Sequence, residues 1–346
     1  MFPRRLRALA ITTVLVAVTP VIAGCSPSDG DTLRLGYFPN ITHAPALVGV
    51  ENGYFADALG DDVTLDTLTF NAGPSAIEAL FSGAIDATFI GPNPAINGWA
   101  QSGGTALRII AGTTSGGAGL VVNPEIQDVD DLAGAVIATP QLANTQDVAA
   151  RHWLTEQGYS IADDGTGGVT VRPTENAEVA NAYAAGAVDG AWLPEPHLSR
   201  LVLEQGAEVL VDEADLWPGG QFVTTHLIVR SEFLEEHPDQ VRQLLAGLLT
   251  TIDYIADDPA GAQAAANAHL TSLSGSALDE AVLAAAFDNL EFTVDPIAQS
   301  LQGSADHAAA VGLLDPVDLS GIYALDPLND LLTEAGKPTV DAAGLA

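Results

Sequence analysis

The chain has 346 residues, 47% of them apolar, and sets 45 Asp and Glu against 11 Lys and Arg for a formal charge of −34. That length supports about two domains, and the apolar share is ample for packed cores. So large an acidic excess repels DNA, RNA and anionic lipid, which argues against a nucleic-acid partner.

The chain opens with Arg4, Arg5 and Arg7, an apolar run over 8–18 and small residues leading to Cys25. A basic start and a short apolar stretch describe an export leader, too short to span a bilayer. Ile22-Ala23-Gly24-Cys25 resembles the bacterial lipobox, which implies a signal peptide over 1–24, a lipidated Cys25 and a polar tether over 25–32. The expected location is the extracytoplasmic face of the cell membrane, with the lipid as the only membrane contact. Cys25 is the sole cysteine, so an internal disulfide and a CxxC motif are both excluded.

Beyond the tether, 33–37 reads as a strand, 44–50 as a helix stopping at Gly53, 63–70 as a strand, 75–81 as a helix and 87–90 as a short buried strand. Gly91-Pro92-Asn93-Pro94 reads as the loop that ends it. A strand over 107–111 leads into the small-residue run Thr113 to Gly119, a plausible hinge crossing. Then follow strands over 135–138, 169–171 and 191–193, a helix over 145–157, and a strand-like return over 222–230. From Pro238 the pattern turns helical. Val241, Leu244, Leu245, Leu248, Leu249, Ile252 and Ile255 form a stripe that suits packing against the first lobe, or else docking of a partner. Helices are expected again over 278–287 and 311–314.

Two stretches repeat. Glu51-Asn52-Gly53-Tyr54 returns 105 residues on as Glu156-Gln157-Gly158-Tyr159, and Gly83-Ala84-Ile85-Asp86 returns 103 residues on as Gly186-Ala187-Val188-Asp189. Alternating strands and helices, present twice, predict an α/β protein of two similar lobes, each a mostly parallel sheet flanked by helices, joined by two hinge crossings. The expected division is 33–118 with 222–346 for lobe 1, and 119–221 for lobe 2.

In open α/β sheets ligands sit beyond the carboxyl ends of the strands, where helix N-termini present free N–H groups. The polar loops at those places supply Asn40, Thr42, His43, Asn71, Gly73, Ser75, Pro92, Asn93, Thr113 and Ser115 from lobe 1, Gln141, Asn144, Thr145 and Glu195 from lobe 2, and Thr224 on the return. They hold hydroxyls, amides and glycine but no lysine or arginine, so a small anion here would be held by neutral donors and helix ends. Taken singly, Asn40, Ser75 and Thr145 are equally explained as helix caps. His43 could donate to an anion or serve a local hydrogen bond; Glu195 could pair with a ligand amine or bond backbone N–H groups. Trp192 reads as core.

Catalytic signatures are missing. There is no Gly-x-Ser-x-Gly, His-Glu-x-x-His or GxGxxG, and the single lysine, Lys337, stands near the C-terminus. The seven histidines lack metal-ligand spacing, and no cofactor or metal is expected.

The order Leu35-Gly36-Tyr37, Ala44-Pro45, Glu51-Asn52-Gly53-Tyr54-Phe55, Gly83-Ala84-Ile85-Asp86, Asn144-Thr145-Gln146-Asp147 and Phe233-Leu234-Glu235-Glu236-His237-Pro238 resembles the solute-binding proteins of nitrate, sulfonate and taurine ABC importers. The likeness runs over about 33–255. It implies a periplasmic-binding-protein type II fold that closes on a ligand and delivers it to a permease driven by an ATPase. Carried over from the family, Thr42, Asn93, Thr113, Asn144 and Thr145 are expected contacts, and a small organic anion or zwitterion, an aliphatic sulfonate such as taurine first, is the expected ligand. Trp192-Leu193-Pro194-Glu195-Pro196 departs from the family's Trp-Glu-Pro, and the lack of a basic residue counts against nitrate or bicarbonate. Other expectations are a thiamine-precursor pyrimidine as ligand, an enzyme of pyrimidine synthesis on the same fold, and a surface protein for adhesion or sensing.

Overall fold

The computed structural model describes residues 32–346; the leader, Cys25 and the tether up to residue 31 lie outside the described residues. The first half-fold runs β1 (Thr32–Tyr37), α1 (Ala44–Glu51), α2 (Tyr54–Leu59), β2 (Thr64–Thr69), α3 (Gly73–Phe81), β3 (Ala87–Ile90), α4 (Pro92–Gln101) and β4 (Leu107–Gly116). A crossing at Gly117 enters β5 (Ala118–Val122). The second half-fold then runs β6 (Val136–Thr139), α5 (Thr145–Glu156), β7 (Thr170–Pro173), α6 (Asn176–Ala184), β8 (Gly190–Pro194), α7 (His197–Gln205) and β9 (Glu208–Asp212). Short 3-10 turns lead back to β10 (Val223–Arg230). After it come α8 (Ser231–Glu236), α9 (Pro238–Asp257), α10 (Pro259–Ser274), α11 (Glu280–Asp288), β11 (Leu290–Phe292), α12 (Ala298–Ala310) and α13 (Asp326–Glu334).

The two sheets have one plan. The first is ordered β11-β4-β10-β3-β1-β2 and the second β7-β6-β8-β5-β9. In each, the strand that has just crossed from the other lobe, β10 or β5, lies antiparallel between the third and fourth strands of the local half-fold. The remaining half-fold strands point one way, as the alternating pattern predicts. Gly116 and Gly117 both hold left-handed backbone, with φ of 78° and 67°, which turns the chain out of one sheet and into the next.

The sequence repeat has a physical cause at Asp86 and Asp189. Each precedes the third strand of its half-fold, and its carboxylate accepts an N–H from the first: Arg34 N to Asp86 at 2.9 Å, Val136 N to Asp189 at 2.8 Å. Their own N–H groups bond back to the carbonyls of Arg34 and Val136. Gly83 and Gly186, with φ of 72° and 66°, end α3 and α6 just before these corners.

Both faces of the first sheet are covered. On one face Leu33, Leu35, Tyr37 and Phe89 of the sheet pack with Phe55 of α2 under α1, α2, α9 and α10; on the other Ile90 packs with Ile96 and Trp99 of α4 and Leu301 of α12, under α3, α4 and α12. Val241, Leu244, Leu245 and Leu248 of α9 are fully buried in the first of these cores. Burying four such side chains contributes on the order of 6–12 kcal/mol, so this stripe is core and not a docking face. Trp192 is fully buried in the second lobe, its indole N–H bonded to Glu213 at 2.7 Å.

Two local readings are corrected. Pro92 does not lie in a loop but starts α4, where its missing N–H costs no helical bond. Residues 311–314 are the turn after α12 and not a helix, since the chain leaves the helix at Val311.

Candidate ligand-binding site

The carboxyl ends of β1 and β3 face those of β6, β7 and β8, and a cleft lies between them. Lobe 1 lines it with Phe38, Asn40, Thr42, His43, Asn71 and Gly91, lobe 2 with Asn144, Thr145, Gln146, Asn176 and Pro194, and the return strand with Thr224. The unfilled space is about 350 Å³, part of it open to solvent. Every lining group from a helix belongs to a helix start: Gly91 caps α4, Asn144 caps α5, Asn176 begins α6, and His43 precedes α1. The positive ends of several helix dipoles therefore converge on one space. A larger hollow of about 690 Å³, much of it open solvent, lies near Phe81, Gln101 and Arg230 at the C-terminal ends of α3 and α4, and its one cation, Arg230, is already paired with Asp86 and Glu232.

The capping explanation fails for the residues that line the cleft. Asn144 makes no side-chain bond to the backbone of α5, and Asn40 makes none to the backbone N–H groups of the turn it precedes. Asn40 instead accepts from the Thr42 hydroxyl at 2.5 Å. Thr145 is the first residue of α5; its hydroxyl oxygen is buried and has no hydrogen-bond partner. A Cβ placed on Gly91 would stand 2.5 Å from that oxygen, so the lobes touch there. With the first-turn N–H groups of α5 lacking helical acceptors, Thr145 and its neighbours present a cluster of unused donors.

His43 is fully enclosed. Burial pushes its imidazole down to about 3, so it is neutral at physiological pH. Its Nδ1 accepts from the Phe38 N–H at 3.3 Å, which leaves the proton on Nε2 as a further donor. The Phe38 and His43 rings stack with centroids 4.5 Å apart. None of the groups lining the cleft is ionised.

Seven of the fifteen residues singled out from the sequence meet here: Asn40, Thr42, His43, Asn71, Asn144, Thr145 and Thr224. The others stand outside the lining. Gly73 opens α3 and packs on Pro94, and Ser75 is exposed and bonds the Ala72 carbonyl at 2.9 Å. Pro92 opens α4; Asn93 reaches away to the Ser304 carbonyl on α12 at 3.0 Å. Thr113 donates to the Thr225 carbonyl at 2.9 Å, Ser115 is buried in the ladder between β10 and β11, and Gln141 is exposed.

Glu195 does not reach the cleft either. It is fully buried and joins the lobes, its carboxylate accepting from Asn289 at 2.7 Å and from the Ser199 hydroxyl and N–H at 2.8 and 3.2 Å. Burial raises its pKa, against the pull of those bonds. Thr42 N–H reaches the Glu195 carbonyl at 3.4 Å.

Phe38, Gly91, Gln146, Asn176 and Pro194 complete the lining without having been singled out. The offset of 105 that carries Glu51 to Glu156 also carries Asn71 to Asn176, so the repeat held the signal. Outside the cleft a mouth of about 400 Å³ shares Phe38, Asn40, Asn71 and Asn176 and adds Pro39, Glu175, Ala177 and His197.

Two α/β lobes with the order of the first three strands preserved in each, crossed twice by the chain and closing helix N-termini on one cleft, define the type II periplasmic-binding-protein fold. Residues 26–270 match the model of the NMT1-like family, and the chain belongs to that family. It is 32% identical over 246 residues, 67% of this chain and 70% of the other, to a protein of Bacillus subtilis (strain 168) named "Putative aliphatic sulfonates-binding protein". The taurine-binding periplasmic protein of Escherichia coli (strain K12) is 27% identical over 201 residues, 57% of this chain and 59% of that one. Among solved structures, the alkanesulfonate-binding protein SsuA of Xanthomonas axonopodis pv. citri bound to MOPS superposes with a TM-score of 0.69 at 22% identity, covering 84% of this chain and 96% of its own. The fold expected from the sequence is thus the fold of the chain.

Proposed function

We propose that the protein is the extracytoplasmic receptor of an ABC importer, anchored through Cys25, which captures a small organic anion between its lobes and hands it to a permease driven by an ATPase. The lobes divide as 33–118 with 222–346, and 119–221. The observation that carries this reading is the buried, unpartnered Thr145 hydroxyl beside the uncapped start of α5, facing Asn40, Thr42 and His43 across the cleft. Unused buried donors are costly unless a ligand accepts from them.

An aliphatic sulfonate fits best. Its single negative charge is spread over three acceptor oxygens, which suits many neutral donors and needs no cation. The relatives named for sulfonates and taurine support the same class. A neutral pyrimidine would find one hydrocarbon ring, Phe38, and that ring is already stacked on His43. An enzymatic role has no cleft lysine to use, since Lys337 is paired with Asp253 on the surface.

A thermal-shift screen with ethanesulfonate, taurine, nitrate, bicarbonate, sulfate and pyrimidines tests the reading. Ligand at about a hundred times its Kd stabilises the native state by about 2.7 kcal/mol. A raised Tm with sulfonates supports the proposal; shifts with pyrimidines alone overturn it. Anchoring is tested separately, since Cys25→Ala should release the protein from the membrane fraction.

A further inference from the structure

The inner cleft answers an anionic head; the mouth is built differently. The inner cleft opens past Phe38, Asn40, Asn71 and Asn176, the residues common to both spaces, so a ligand whose head meets Thr145 and the α5 start can send its tail that way. There the tail meets Pro39, Ala177, His197 and Glu175. Burial, with help from Arg200, pushes the His197 imidazole down to about 4, so it carries no charge at neutral pH. Arg200 itself is turned to Glu204 at 3.3 Å. The carboxylate of Glu175 is therefore the one ionised group lining either space, and among the described residues it forms no ion pair. As the cap residue of α6 it makes no side-chain bond to that helix, so capping does not use it.

We infer that Glu175 is a specificity residue that selects ligands whose tail ends in a cation, so that the preferred class is a short ω-ammonio sulfonate over a plain alkanesulfonate or a dianion. This rests on the sulfonate reading of the inner cleft. Two effects act together: the carboxylate attracts an ammonium group, and it repels a second anionic end brought to the same place. The first is modest because Glu175 is exposed, about fivefold in affinity for an exposed pair. Glu195, the carboxylate that the sequence offers for an amine, is spent on Asn289 and Ser199, so Glu175 takes that part.

Calorimetric titration with taurine, ethanesulfonate and sulfoacetate, on wild type, Glu175→Gln and Glu175→Asp, tests the inference. Wild type should bind taurine about fivefold tighter than ethanesulfonate and sulfoacetate weakest. Glu175→Gln should bring the first ratio near one and tighten sulfoacetate, Glu175→Asp should keep the preference, and high salt should shrink it in wild type. A ratio unchanged by Glu175→Gln, or ethanesulfonate bound as tightly as taurine by wild type, overturns the inference while leaving the sulfonate reading in place. If wild type binds none of the three yet is stabilised by another anion, the sulfonate reading falls and this inference with it.

Discussion

The contact between Glu195 and Asn289 sets a value on closure that can be measured without touching the ligand. Asn289 follows α11 in lobe 1, and its amide donates across the seam to a fully buried carboxyl group of lobe 2 at 2.7 Å. A hydrogen bond to such a group contributes about 1.5–3 kcal/mol, and the lower end applies because Asn289 itself is exposed. Replacing Asn289 with Ala leaves Glu195 its two bonds from Ser199, so the second lobe should stay folded. About 1.5 kcal/mol removed from the closed arrangement is about a tenfold shift toward the open one, and a ligand that is fully held only when closed loses affinity by the same factor. Calorimetric titration of wild type and Asn289→Ala with a sulfonate identified by thermal shift reads the affinity, and small-angle scattering of both reads the radius of gyration. A weaker ligand is expected, with stability in urea lowered by no more than the same ~1.5 kcal/mol. Equal affinities together with equal radii would refute the view that this bond helps hold the lobes shut.

Changing Asn144 and Thr145 together to Ala should raise the ligand Kd by about tenfold or more, the loss of one or two net hydrogen bonds, and an unchanged Kd would remove both from the site. Asp147→Asn should cost about 3 kcal/mol, read as a lower urea midpoint, because it breaks a buried pair with Arg151 at 3.0 Å whose carboxylate also accepts from Thr139 and from Ala143 N–H. An unmoved midpoint there would show that Arg151 is content without its partner. Stability should also fall in acid. His43 and His226 are held at about 3 and about 4 by burial, below the ordinary 6.5, so the unfolded chain takes up protons first and stability is lost as pH drops from 6.5 toward 4. Each contributes about 3 kcal/mol across that window. Glu213 opposes them: raised to about 7 by burial, its carboxyl group favours the fold below 4.5 and loses that advantage as pH rises through 7. Two histidines outweigh one carboxyl group, so urea midpoints should be lower at pH 4.5 than at pH 7; equal midpoints would contradict the burial argument.

The repeat was legible because the corner it encodes is local. An Asp placed just before a strand can bond the strand beside it, and a glycine at the end of the preceding helix lets the chain reach that place, so both survive as a short string in each half. Uncharged helix starts at the strand ends were legible for the same reason. What each polar side chain does there was not. Asn93 and Thr113 look as free as Asn144 and Thr145 in the sequence, yet Asn93 meets a carbonyl 211 residues away and Thr113 one 112 residues away. Which donors remain unused depends on where the C-terminal helices and the return strand pass, and no local spacing records that.

The same distant packing decides the carboxylates. From sequence, Glu195 stands in a loop of the right kind, and an amine-pairing role follows naturally. In the fold, its neighbours α7 and the end of α11 close over it, and a group that could have met the ligand instead meets the other lobe. Glu175 has no such cover, because α6 starts at the mouth where lobe 1 offers Phe38, Pro39, Asn40 and Asn71. Burial thus sorts two similar residues into two tasks: the covered carboxyl group adds to the stability of closure, and the uncovered one is left to act on whatever tail the cleft presents to it.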